Sequence, residues 1–259
     1  IEKLNQLKTL EPSNTAIDKK LAEIYYLKND FSKAADAYSR FAMGPTANEE
    51  DLVKYAFALF LNHDFAKSLE VANMGLKKNP RHAAFNRLAM YNNTDLKRFE
   101  EALKAADVFF NECDKADYSY LDYMYYGHLL EELKKYDEAV GQYEKAVELD
   151  PTKTDLYKNI SSVYEQKNDY KKAIGAYHKY YSSLEKEKQT PDLQFQLGRL
   201  YYGAGTQPDS LTINVEERKQ ALMSADSVFQ VISEAAPDSY LGNFWRARAN
   251  SALDPETTK

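Results

Sequence analysis

Along the chain, apolar residues recur at i, i+3, i+4 and i+7, the stripe of an amphipathic helix, and the stripes come in paired short blocks. One pair reads Tyr123, Tyr126, Gly127 and Leu130, then Ala139, Tyr143 and Ala146, and closes at Pro151. The next reads Tyr157, Ile160, Ser161 and Tyr164, then Ala173 and Tyr177, each position 34 residues further on. The frame extends upstream through Leu21, Ala22, Tyr25, Ala34 and Tyr38, then through Tyr55, Ala56, Leu59, Ser68 and Ala72. After a one-residue slip it continues through Leu88, Ala89, Ala102 and Ala106, and downstream through Leu197, Gly198, Tyr201, Ala225 and Phe229.

Prolines keep the same beat. Pro12 to Pro80 is 68 residues, Pro80 to Pro151 is 71 and Pro151 to Pro237 is 86: twice 34, with remainders of none, three and eighteen. The remainders predict insertions of about three residues near Asn111–Asp117, three in the polar run Ser182–Thr190, and about fifteen between Tyr202 and Ala221. Thr212, Ile213 and Asn214 are expected to end that last loop. Asn214 would cap a long helix reaching about Ala236, with Glu217 in support.

The pattern predicts an all-α chain of stacked helix pairs. Small residues at Ala22, Ala56, Ala89, Gly127, Ser161 and Gly198 allow the first helix of each pair to approach the second. Ala34, Ser68, Ala102, Ala139, Ala173 and Ala225 do the same from the other side. The prolines stop each second helix, and a pair that cannot bury its apolar face alone must stack on its neighbours. Residues 1–259 are therefore expected to form a single solenoid domain of six repeats. Their limits are about 15–48, 49–81, 82–117, 118–152, 153–189 and 190–237, the last with a long insertion at 203–219. Half-repeats are expected at 1–14 and 238–259, which suggests a longer native protein.

These residues resemble the tetratricopeptide pattern W-x2-L-G-x2-Y, A-x3-F and a closing proline. The resemblance implies an α-α superhelix whose first helices line a concave groove, with positions 2, 5, 9 and 12 of each repeat facing it. Carried over, these are Lys19, Glu23 and Tyr26; Glu50, Val53, Phe57 and Phe60; and Ala83, Asn86, Met90 and Asn93. Further along they are Leu121, Met124, His128 and Glu131; Asp155, Lys158, Ser162 and Glu165; and Asp192, Phe195, Arg199 and Tyr202. Phe57, Phe60, Met90, Leu121 and Met124 would form an apolar patch in mid-groove suited to an amphipathic helix or extended peptide. The carboxylate clamp of some members is not expected, because Glu23 stands where that clamp needs asparagine.

Composition narrows the function. Hydrophobic residues at 44% and charged residues at 29% describe a folded, water-facing chain, and no run of 18 apolar residues predicts a membrane span. A net charge of -6 argues against nucleic acid as the main partner. Tyrosine occurs 21 times and Gly plus Pro only 17, which favours helix on helix with phenol tips reaching water. Cys113 is the only cysteine, so no internal disulfide or cysteine-based zinc site can form. His63, His82, His128 and His178 have no metal-binding spacing, and phosphate-loop, dinucleotide and hydrolase motifs are absent.

The reading is thus a non-catalytic adaptor or scaffold, without cofactor or metal, that binds a protein or peptide partner. The expected groove residues are Tyr26, Val53, Phe57, Phe60, Asn86, Met90, Leu121, Met124, His128, Lys158, Arg199 and Tyr202. Alternatives are a carbohydrate- or small-ligand-binding protein on a similar scaffold, and a structural component of a cell-envelope assembly that self-associates end to end. The style of the repeats and the missing start suggest a bacterial periplasmic or cell-envelope location.

Overall fold

The computed structural model describes residues 1–44, 47–113, 117–208 and 214–254, and every regular element among them is helical. The chain divides into two compact units. Unit 1, residues 1–133, holds α1 (Glu2–Leu10), α2 (Thr15–Leu27), α3 (Phe31–Ser39), α4 (Glu49–Leu61), α5 (Phe65–Lys78), α6 (Ala83–Asp95), α7 (Phe99–Asn111) and α8 (Tyr120–Glu132). Unit 2, residues 134–259, holds α9 (Tyr136–Leu149), α10 (Leu156–Gln166), α11 (Tyr170–Ser183), a 3-10 turn at Lys186–Lys188, α12 (Pro191–Gly205), α13 (Val215–Ala235) and α14 (Tyr240–Leu253). Within each unit neighbouring helices pack on one another in chain order, α2 on α3, α4 on α5 and α6 on α7 in the first, α10 on α11 and α12 on α13 in the second.

The repeat is written into the backbone. Asn29, His63, Lys97, Lys134 and Asn168 all adopt a left-handed conformation, with φ between 58° and 61°. They lie 34, 34, 37 and 34 residues apart, each in the turn between the helices of a pair. The N–H groups of the next residues, Asp30, Asp64, Arg98 and Asp169, bond back to the carbonyls of Tyr25, Leu59, Asn93 and Tyr164. This six-to-one closure satisfies carbonyls that a helix end leaves free. The carboxylates of Asp30, Asp64 and Asp169 then accept the N–H of Lys33, Lys67 and Lys172, which starts the second helix at once. An aromatic ring follows at Phe31, Phe65, Phe99, Tyr136 and Tyr170. The single 37-residue interval carries the three extra residues expected near Asn111–Asp117; residues 114–116 themselves lie outside the described set.

All twelve small residues named from the pattern are buried. At Gly198 an added Cβ would lie 2.6 Å from the Phe229 ring, so only glycine admits this approach of α12 and α13. Where serine replaces alanine, its hydroxyl finds a backbone carbonyl across the pair: Ser68 donates to Ala56 at 2.9 Å and Ser161 to Ala173 at 2.8 Å. A buried hydroxyl left unbonded would cost about 1–3 kcal/mol.

The expected insertion at 203–219 begins later than expected, because residues 203–205 are still helix, whereas the long helix capped by Asn214 forms where the sequence placed it. Residues 203–205 end α12, residues 215–219 open α13, and Asn214 caps α13 by accepting the Glu217 N–H at 2.8 Å. Gly203 and Gly205 belong to packing: added Cβ atoms would meet Tyr170 at 2.3 Å and Leu222 at 2.4 Å. Thr212 and Ile213 lie outside the described residues.

Candidate peptide-binding surface

The structure sorts the twelve expected groove residues into three groups. His128, Lys158 and Arg199 are exposed, while Tyr26, Val53, Phe57, Leu121, Met124 and Tyr202 are half-buried. Phe60, Asn86 and Met90 are buried, with 8%, 4% and 0% of their surface exposed. The expected apolar patch is therefore corrected: Phe60 and Met90 are core. The reason is that the first helices α4, α6 and α8 also pack on one another, which closes the space between their facing sides. Phe60 stacks among Phe65, Tyr91 and Tyr125 at 5.5–6.1 Å between ring centroids. Asn86 donates to the Pro80 and His82 carbonyls at 2.9 and 3.1 Å and so holds the turn that opens α6.

Charge in unit 1 is largely spent on internal bonds that the sequence pattern did not disclose. Asp122, fully buried, receives Arg87 Nε at 2.7 Å and Nη2 at 3.0 Å, the Tyr91 hydroxyl at 2.6 Å and the Ser119 N–H at 2.7 Å. Asp51 receives Lys19 Nζ at 2.8 Å, and Asp18 receives Lys8 and Arg40. Lys19, one of the positions expected to face the groove, is thus occupied. A signal was present: Asn48-x-x-Asp51 and Ser119-x-x-Asp122 are capping boxes, each with a cation 32 or 35 residues before the aspartate.

Unit 2 is different. Between α10, α11 and α12 lies a cleft of about 400 Å³ lined by Lys158, Ser162, Glu165 and Asp192, together with Ser161, Tyr177, Leu193 and Gln196. Tyr177 forms its floor and donates to the Leu193 carbonyl at 3.0 Å; burial pushes its hydroxyl up to about 12. Tyr38, the equivalent residue of unit 1, has no hydrogen-bond partner among the described residues, and burial raises it too. Glu165 accepts from Gln196 at 3.4 Å and lies 3.9 Å from Arg199, so the rim carries both signs of charge.

A second feature joins α12 and α14. Trp245 meets Phe195, Tyr202, Phe229 and Phe244 at 5.3–6.1 Å, and the Arg248 guanidinium lies 4.8 Å over Trp245, 5.2 Å over Tyr202 and 5.8 Å over Phe244. Phe244 and Arg248 were missed, yet they follow Pro237 by the same seven and eleven residues by which Lys158 and Ser162 follow Pro151. Another cleft, of about 260 Å³, is lined by Lys171, Ile174, Tyr201, Ala204, Glu217, Gln220, Ala221 and Ser224. Among the described residues no group of three or more His, Cys, Asp or Glu is placed to hold a metal, and no helix is long and apolar enough to cross a membrane.

Residues 121–153, α8 and α9 with the turn between them, match the family model of the tetratricopeptide repeat. Over those residues the chain carries a tetratricopeptide repeat, and its helix pairs as a whole share that fold. Among solved structures it is similar to the C-terminal part of a tetratricopeptide repeat-containing protein from Cytophaga hutchinsonii, at 28% identity and a TM-score of 0.60, over 80% of this chain and 73% of that one. It is also similar to MamA (41-end) from Desulfovibrio magneticus RS-1, at 18% identity and 0.58, over 68% of this chain and 97% of that one. A further MamA structure shares 20% identity at 0.56, over 67% and 93%. At these two lower identities the likeness is one of fold. No curated protein matches the sequence. Tetratricopeptide folds serve in general as protein-interaction scaffolds, and their stacked repeats present extended surfaces to partners.

Proposed function

We propose that this chain is a non-catalytic adaptor that holds a peptide or helical segment of another protein on the first-helix side of its repeats. The observation that carries the reading is the cleft above Tyr177, where Lys158, Ser162, Glu165 and Asp192 stand side by side. These are the residues that repeat register assigns to the free face, and they offer donors and acceptors within one concavity. An extended backbone or the polar edge of a helix is recognised by such a set. In unit 1 the equivalent positions at Phe60, Asn86 and Met90 are taken up by packing. Recognition there falls to the half-exposed Tyr26, Val53, Phe57, Leu121 and Met124 and to the exposed His128.

The test is site-directed photocrosslinking in cells of the source organism, with a benzophenone side chain at Ser162 and, as control, at the exposed Glu144 on α9. The expected result is one discrete polypeptide adduct from position 162 and none from 144. Equal labelling from both positions, or none from 162, would sink the adaptor reading.

A further inference from the structure

The second helix α13 is longer than its counterparts. It has 21 residues where α9 and α11 have 14 each, and the repeat register matches its Leu222 with Tyr170, the first residue of α11. Residues 215–221 are therefore an addition of about two turns at the front of the helix. Helix α12 is extended as well: it runs to Gly205, whereas α10 ends at Gln166, the register equivalent of Gly203. Both extensions are pinned. Leu222 fills the space over Gly205, the Tyr170 ring fills that over Gly203, and Gln207 donates its amide to the Asn168 carbonyl.

These additions help to build the cleft of about 260 Å³ between α11 and α13. Ala204, Glu217, Gln220 and Ala221, half of its lining residues, belong to them. Ile174, Tyr201, Ala204 and Ala221 make the lining largely apolar, and Tyr201 is fixed by His178, 2.8 Å from its hydroxyl. Two lining residues are charged: Lys171 on α11 and Glu217 on α13. Both are exposed, and neither joins an ion pair among the described residues. The cleft thus offers an unspent cation on one helix, an unspent anion on the other and an apolar surface between.

We propose that this cleft binds a small zwitterion with an apolar body, of the chemical class of a free α-amino acid with an aromatic or branched aliphatic side chain. Its carboxylate meets Lys171, its ammonium meets Glu217, and its side chain covers the apolar lining. The paired charges decide the class: an anion would face Glu217 uncompensated, a cation would face Lys171, and an uncharged molecule would engage neither. The volume lies just below the roughly 300–1,000 Å³ of sites for drug-sized ligands, so the occupant is small. No lining residue is shared with the cleft above Tyr177, so the site is additional to the adaptor surface.

The test is titration of the full chain with L-phenylalanine and L-leucine, read by the amide shifts of α11, α12 and α13 in nuclear magnetic resonance. Saturable shifts are expected around residues 171–174 and 217–224. Phenethylamine, 3-phenylpropionate and N-acetyl-phenylalanine amide, which lack one or both charges, should bind at least about tenfold more weakly. Lys171→Ala and Glu217→Ala, at exposed positions, should each weaken binding about tenfold and leave thermal unfolding unchanged. Ala221→Phe, which fills the cleft, should abolish binding. Equal binding of any of the three analogues, unchanged affinity in both charge variants, or no saturable shift at about 10 mM of either amino acid would overturn the proposal. None of these results bears on the adaptor reading, which is decided by the crosslinks from position 162.

Discussion

Asp122 has no exposed surface and sits in a cage of donors from Arg87, Tyr91 and Ser119, so its charge is matched on every side. Removing one member of such a set leaves the rest desolvated and unpaired, which costs more than the pair contributes net. Asp122→Ala is expected to lower stability by about 3 kcal/mol in denaturant titration. His128→Ala, at an exposed position in the same helix, should stay within about 0.5 kcal/mol. Met90→Ala is expected to cost about 2–5 kcal/mol, as for any fully buried large side chain. A Met90 at a binding surface would instead leave stability unchanged, so one unfolding curve separates the two roles. At this scale the sequence was a poor guide to the site. Helical period fixes which side of a helix a residue occupies, but whether that side is open depends on how closely the next first helix approaches. Val53 and Phe57 keep some exposure while Phe60 and Met90 lose it, and nothing in a 3.6-residue period distinguishes them.

At the scale of the helix pair the sequence was far more legible, because the constraints are local. A left-handed residue followed two positions on by an aromatic ring marks each of the five turns, with a capping aspartate between them in three, and small residues at fixed offsets define each close approach. The long insertion was misjudged in part because Gly203 and Gly205 resemble loop residues by composition, whereas α12 uses them to admit Tyr170 and Leu222. Glycines elsewhere make the same point testable. Gly75 lies in α5 with an added Cβ 2.1 Å from the Phe85 ring, and Phe85 is fully buried. Gly75→Ala gains about 1 kcal/mol of helix propensity and loses about 1–3 kcal/mol to overpacking, so a net loss is expected. Gly141 and Gly175 in α9 and α11 have nothing within 4 Å of an added Cβ. There the propensity gain is unopposed, and Gly141→Ala or Gly175→Ala should raise stability by about 0.5–1 kcal/mol. Thermal melts of the three variants, compared with the parent chain, check the contrast.

Within each unit, stabilising contacts link each helix chiefly to its immediate neighbours, so free energy is organised nearly in one dimension. The buried aspartates follow that rule: Lys19 reaches Asp51 and Arg87 reaches Asp122, each one repeat onward and no further. A lesion in such a stack should therefore be felt locally and fade along the chain, whereas in a globule with one shared core it would weaken everything together. Asp122→Ala provides the lesion, and native-state hydrogen exchange reads its reach. Amides of α6, α7 and α8, which surround the Arg87–Asp122 pair, are expected to lose protection by a factor approaching the full destabilisation. Amides of α12, α13 and α14, held by the separate core of Phe195, Phe229 and Trp245, should change by less than about threefold. Uniform loss across both sets would mean that all repeats unfold as one cooperative body. Loss confined to residues 83–133 would mean that each stretch of repeats answers to its own contacts, and that the surface around Arg248 and Tyr177 can be altered by mutation without unfolding the rest.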